Sequence, residues 1–279
     1  MLKIIITAGY FFIVTALWAQ DDAPVSQWIN SPVKIDGNPA EWHKPLRFYD
    51  SNTKLFYAFA NDGKNLYICF QAPDEMNQQK IMHAGMKISL ISKTSDKHKV
   101  SVSFPLAQQY VPVKQPAGED STEKKFQKKN MKNNFLVQNT LMEVKGFADR
   151  NGLIATNDSS GINTAINWDE GNILTYEISV PFAEFYGTGY TSTDLTKYIT
   201  MDVEINAVSR ANHADNAGNA NSFGGRGRGG RMGGGQGHHR NNNTEAGQID
   251  GSQPFSSRTA MFEKAELKQK FILAAAVKN

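Results

Sequence analysis

Residues 54–72, KLFYAFANDGKNLYICFQA, constrain the fold of this chain most. Two aromatic-rich apolar runs, 54–60 and 65–72, flank a turn-forming tetrad. Asn61, Asp62 and Gly63 are residue types that tolerate the positive φ of tight hairpin turns. Side chains alternate along a strand, so Leu66, Ile68 and Phe70 share one face and Tyr67, Cys69 and Gln71 the other. Both faces are largely apolar, which predicts a central strand covered on both sides.

The same period of two recurs along the chain. MKISLIS (86–92) and KVSVSFPL (99–106) predict a second hairpin, with Met86, Ile88, Leu90, Val100, Val102 and Phe104 facing inward. LMEVKGFA (141–148), GLIATND (152–158), ILTYEISVPF (173–182) and YITMDVEINAV (198–208) add four more strands. FAEFYG supplies one helical turn after Pro181, and the last apolar run, up to residue 277, supplies a closing strand or a short helix. At least eight strand candidates, closely spaced turns and no long amphipathic helix predict an all-β chain. The expected architecture is one antiparallel β-sandwich, jelly-roll-like, over residues 21–279. A chain of 279 residues suits one large all-β domain.

Two stretches interrupt this pattern. Residues 114–134 are lysine-rich and read as a solvent-exposed insertion with room for a short helix. Residues 209–256 are dominated by glycine, asparagine and arginine. Ordering them has no apolar burial to offset its entropy cost, so they read as a long loop before the last element.

Residues 1–20 read as a signal peptide: MLK is a basic start, IIITAGYFFIVTAL an apolar run, and Ala19 sits at a plausible cleavage point. The run falls short of the ~20 apolar residues of a membrane span. The expectation is export to the periplasm or cell surface, with no stable membrane span after processing. Cys69 is the only cysteine, so no intrachain disulfide forms, and its apolar setting reads as that of a buried small hydrophobe. The formal charge is +3, and Lys3 leaves with the signal, so nothing drives the chain toward nucleic acid.

Three segments carry a family likeness. VKIDGNPAEWHKP (33–45), with Ile35-Asp36-Gly37 and Glu41-Trp42, resembles the N-terminal signature of family 9 carbohydrate-binding modules. NLYICFQAPD, with Leu66-Tyr67 and Asp74, resembles the second strand of that family's hairpin, and ILTYEISVPF, with Glu177 and Pro181-Phe182, a later strand. The likeness covers most of residues 28–208 and the final strand. It implies a β-sandwich that binds polysaccharide or oligosaccharide without catalysis. In the family pattern Trp42 is structural, a ring filling the end of the sandwich after the Asp36-Gly37 turn.

Sugar binding needs aromatic faces to stack on a pyranose and polar groups to meet its hydroxyls. The loop aromatics are Trp28, Tyr110, Trp168, Tyr186, Tyr190 and Phe223. The candidate site is Trp168, Asp169, Tyr110 and Tyr190, led by Trp168 in the polar segment NTAINWDEGN beside Asp169 and Glu170. Trp28 reads as packing. No motif calls for a cofactor; calcium is the ion that Asp36, Asp74, Asp169 and Glu170 would suit. His213, His238 and His239 lie in the glycine-rich stretch and read as adventitious metal binders rather than a site. GGRGRGGRMGGG resembles RNA-binding arginine-glycine segments, a use that export argues against. No catalytic residue is assigned. GxSxG and HExxH are absent, and paired carboxylates such as Glu41 with Asp74 or Glu177 with Glu204 are the hydrolase candidates, with the two strand glutamates reading as ordinary outward charges. The alternative function is docking of an envelope protein. A glycan binder is expected to display an exposed aromatic pair, and a docking protein a broad apolar patch.

Overall fold

The computed structural model describes residues 23–92, 98–107, 121–209 and 259–276. Residues 1–20, read above as a signal peptide, Tyr110, insertion residues 114–120, and residues 210–256 with His213, Phe223, His238 and His239 lie outside the described residues.

Alternating strands build two six-stranded sheets packed as a β-sandwich. The first sheet runs β1 (Gln27–Trp28), β3 (Leu55–Asn61), β4 (Asn65–Ala72), β10 (Leu174–Pro181), β9 (Asn163–Trp168), with β2 (Phe48–Asp50) also paired to β3. The second runs β12 (Ala265–Phe271), β11 (Ile199–Ile205), β5 (Met86–Ser92), β6 (His98–Phe104), β7 (Leu141–Lys145), β8 (Gly152–Ala155). Among the described strands every pairing is antiparallel except that of β1 with β3. The expected inward residues of both hairpins form one core, and the Phe59 and Phe271 rings stack between the sheets at 4.1 Å. β4 is central, as its two apolar faces predict.

The β3–β4 turn differs from the expectation in one respect. Asn61, Asp62 and Gly63 all keep negative φ. The Asp62 carboxylate makes the turn instead, accepting from the Lys64 N–H at 2.6 Å and the Asn65 N–H at 2.7 Å.

Helices occupy places the pattern left open. α1 (Glu75–Ala84) joins β4 to β5, capped by Asp74, whose carboxylate accepts from the Asn77 N–H. Its buried residues include Asn77, Gln78 and Lys80, and the Lys80 ammonium donates to the Glu263 carbonyl at 2.6 Å. α2 (Ser121–Gln138) is an 18-residue helix where a loop with a short helix was expected. α3 (Phe182–Tyr186) is the predicted turn after Pro181, and α4 (Ser192–Leu195) follows it. NTAINW is no connector: it is β9, an edge strand of the first sheet. Among the described residues no helix is long and apolar enough to cross a membrane.

Candidate functional site

The outer face of the first sheet is built in three cross-strand rows. Register aligns Tyr49, Phe56, Gln71, Thr175 and Asn167 in one row across β2, β3, β4, β10 and β9. Ala58, Cys69, Glu177 and Ala165 form the middle row, and Ala60, Tyr67, Ser179 and Asn163 the third. Residues 33–46 lie over the middle row as a strap, where Val33, Trp42 and Leu46 pack with Ala60, Tyr67 and Cys69 into a second apolar cluster.

Glu177 holds this strap. Its carboxylate is fully buried and accepts three hydrogen bonds: from the Gly37 N–H at 2.8 Å, the Asp36 N–H at 3.2 Å and the Trp42 indole N–H at 2.7 Å. Burial pushes its carboxyl up to about 7 even though those three donors pull the other way. The expectation of an ordinary outward charge is therefore corrected: β10 does turn Glu177 outward, and the strap covers it. Gly37 must be glycine, because its φ is +75° and a Cβ there would lie 2.6 Å from Asn167. Trp42 is 6% exposed and buried as expected, but it packs under the strap on the outer face of the first sheet rather than at the end of the sandwich, with its indole N–H satisfied by Glu177. Cys69 is fully buried, and burial together with the neighbouring Glu177 charge raises its thiol well above the ordinary range.

The sequence-expected binding residues are not brought together. Trp168 ends β9 facing the core side, with its indole N–H donating to Gln78 Oε1 at 3.0 Å. The Lys132 ammonium lies 4.7 Å from its ring centroid and the Phe135 ring meets its edge at 5.8 Å. Trp168 thus docks α1 and α2 onto the sheet. Asp169 holds the following turn, accepting from the Ile173 N–H at 2.8 Å. Tyr190 packs with Phe182 and Tyr186 beyond the far end of β10. Trp168 pairs with Leu174 at the near end, so an eight-residue strand of roughly 25 Å separates the two. Tyr110 lies outside the described residues. Trp28 packs its ring against the hairpin turn at Gly63.

Three of the four calcium candidates, Asp36, Asp74 and Asp169, are engaged within the fold. Asp36 pairs with Lys34, and Asp74 caps α1 and pairs with Lys54. Among the described residues no three histidine, cysteine or carboxylate side chains group to hold a metal ion. Glu177 and Glu204 cannot flank one glycosidic bond. Glu177 faces outward from the first sheet, whereas Glu204 lies on β11 in the second sheet, opposite to core residues Val203 and Ile205, and pairs with Lys264.

What sequence reasoning missed is the first row. Tyr49 is 53% exposed and its ring lies 4.7 Å from that of Phe56, tilted by 43°. Gln71 makes no side-chain hydrogen bond within the described residues, and Thr175 Oγ is buried without a partner. Asn167 accepts from the Trp168 N–H at 2.9 Å, which leaves its amide N–H groups available. The signal was the FYD triplet before the hairpin: it alternates Phe48 inward and Tyr49 outward, but three residues are too few to register as a strand.

No family model matches the chain, and no curated protein matches it. Among solved structures, similarity is found to a family 9 carbohydrate-binding module from Caldicellulosiruptor kristjanssonii in complex with glucose. Identity is 12%, the match covers 66% of this chain and 77% of that one, and the TM-score is 0.32. A family 9 module from the same organism in complex with cellotriose gives 13% identity, 66% and 76% coverage, and a TM-score of 0.29. Likeness at this level bears on neither ligand nor site.

Proposed function

We propose that the protein is an exported, non-catalytic module that binds glycan chains on the outer face of its first sheet. The observation that supports this reading is the exposed Tyr49 ring set against the half-buried Phe56, in register with the amides of Gln71 and Asn167. Aromatic faces attract the polarised C–H groups of a pyranose, and neighbouring amides meet its hydroxyls. The row crosses five strands, but Thr175 is fully buried, so the contiguous reachable stretch runs from Tyr49 to Gln71 over roughly 10 Å, a length suited to a short oligosaccharide. No charged side chain stands in the row, which favours a neutral chain.

Calorimetric titration of the mature chain with soluble oligosaccharides of increasing length tests this reading, with glucose and cellotriose as first probes. Saturable binding is expected, tightening with chain length. Tyr49→Ala removes an exposed ring without touching the core, and it should weaken binding roughly tenfold with Tm unchanged. Absence of binding across plant, algal and bacterial glycans overturns the reading and turns the search to a protein partner in the cell envelope.

A further inference from the structure

On the other side of the strap the third row opens into a cleft of about 730 Å³. That lies within the ~300–1,000 Å³ of small-molecule sites. Pro32, Val33 and Ile35 of the strap form one wall, and Tyr67, Asn163 and Ser179 are among the residues of the floor. The segment Thr156–Asp158 and Gly161 form the opposite wall.

Both walls are fixed from behind. Glu177 holds the strap at Asp36 and Gly37. Ser179 Oγ donates to the Gly161 carbonyl at 2.9 Å, and Asp158 accepts from the Ser160 N–H at 2.9 Å and from Arg150 Nε at 3.2 Å. In the floor the Tyr67 hydroxyl donates to Asp62 at 2.8 Å and accepts from the Asn65 amide at 3.1 Å. Such support keeps a site in shape before the ligand arrives.

Among the described residues four groups on this lining have no intramolecular hydrogen-bond partner: the side-chain amides of Asn157 and Asn163 and the hydroxyls of Thr140 and Thr156. All are uncharged, and the one carboxylate of the lining, Asp158, is paired with Arg150. Neutral donors and acceptors thus face a wall of proline, valine and isoleucine. This suits a small ring with hydroxyls on one side and C–H groups on the other. We infer that the cleft is a second, separate binding site for a small neutral polyol, a free monosaccharide or cyclitol, formed between the strap and the 156–161 turn. The inference stands on this lining and does not depend on Tyr49.

The test is a titration of the isotope-labelled full chain with D-glucose, D-xylose and myo-inositol, one at a time, followed by amide ¹H–¹⁵N spectra. At least one probe is expected to shift the amides of Asn157, Asn163 and Ala165 saturably, and Tyr49→Ala should leave those shifts in place. Asn163→Ala should weaken binding about fivefold to tenfold. Ala165→Phe, which fills the cleft, should abolish it. Asn157→Ala, at an exposed position, serves if the filling variant does not fold. The inference is overturned if no probe moves these amides, or if the folded cleft variants bind as tightly as the parent. Shifts confined to Tyr49, Phe56 and Gln71 also overturn it while supporting the aromatic row, so the two sites fail separately.

Discussion

Glu177 shows how one buried carboxylate organises a face. Its three donors come from a strap about 140 residues earlier in the chain, and they meet it in a place solvent does not reach. A carboxyl raised from 4.5 to about 7 favours the protonated folded state. Its contribution to stability is therefore full below pH 4.5, falls as pH rises from 4.5 to 7, and is flat above; the span is about 3 kcal/mol. His83 acts in the opposite sense, because burial lowers it from 6.5 and the fold then loses stability as pH falls. The prediction is thus a difference. Urea unfolding between pH 4 and 8 should show a downward slope in the parent that Glu177→Gln removes, while the His83 component persists in both. Equal slopes in the two proteins would show that Glu177 is already ionised throughout. The motif disclosed half of this arrangement: Gly37 as a turn follows from residue type, and a buried Trp42 is what the family resemblance implies. The burial of Glu177 did not, since alternation fixes which face a side chain takes and not what later covers that face.

At the scale of elements, strands were more legible than helices. Strand alternation survives in single short runs, so both hairpins, β10, β11 and the α3 turn stand where the pattern puts them. α1 was missed because Asn77, Gln78 and Lys80 share its buried face with Ile81, Met82 and Ala84, so the buried apolar residues fill only its last turn and make no periodic stripe. α2 is longer than the short helix expected within the insertion, because lysines dominate its sequence and its apolar anchor, Phe135, comes only near its end. β9 was read as a connector because its outward positions, Asn163 and Asn167, are asparagines, while Ile166 and Trp168 keep the inward alternation. These errors meet at Trp168. Its ring is held between Lys132, Phe135 and Gln78, and Lys128 of the same helix pairs with Glu75 at 2.5 Å. Trp168→Ala should therefore loosen α2, with faster hydrogen exchange over residues 121–138 and a stability loss of about 2 kcal/mol, below that of a fully buried ring. Binding at the Tyr49 row should stay intact. Unchanged exchange in α2 together with lost glycan binding would instead restore Trp168 as a sugar platform.

At the scale of the whole molecule, the sandwich is closed where residues 24–26 meet residues 272–274. Val25 bridges Ile272 in parallel, the Ser26 N–H donates to the Ile272 carbonyl at 2.9 Å, and the Ile272 N–H donates to the Pro24 carbonyl at 3.0 Å. Asn61, at the end of β3, sits inside this closure with 2% exposure. Its Oδ1 accepts from the Ala274 N–H at 2.9 Å and from the Ser26 hydroxyl, and its amide donates to the Ala274 carbonyl at 3.1 Å. One side chain thereby ties the first sheet to the segment leaving β12 of the second. Pairing at this range was not legible in the sequence: β4 finds β10 more than 100 residues on, and alternation marks a strand without naming its partner. The single core shared by both sheets predicts one cooperative unfolding transition. Asn61→Ala should cost about 2 kcal/mol, because it leaves buried backbone and hydroxyl groups without their partner. For a chain of this size that lowers Tm by roughly 4–8 °C. Far- and near-ultraviolet circular dichroism should still report one coincident transition, shifted as a whole. If the sheets instead melted apart in two steps, the closure would be what makes the sandwich cooperative, and the shared core alone would not suffice.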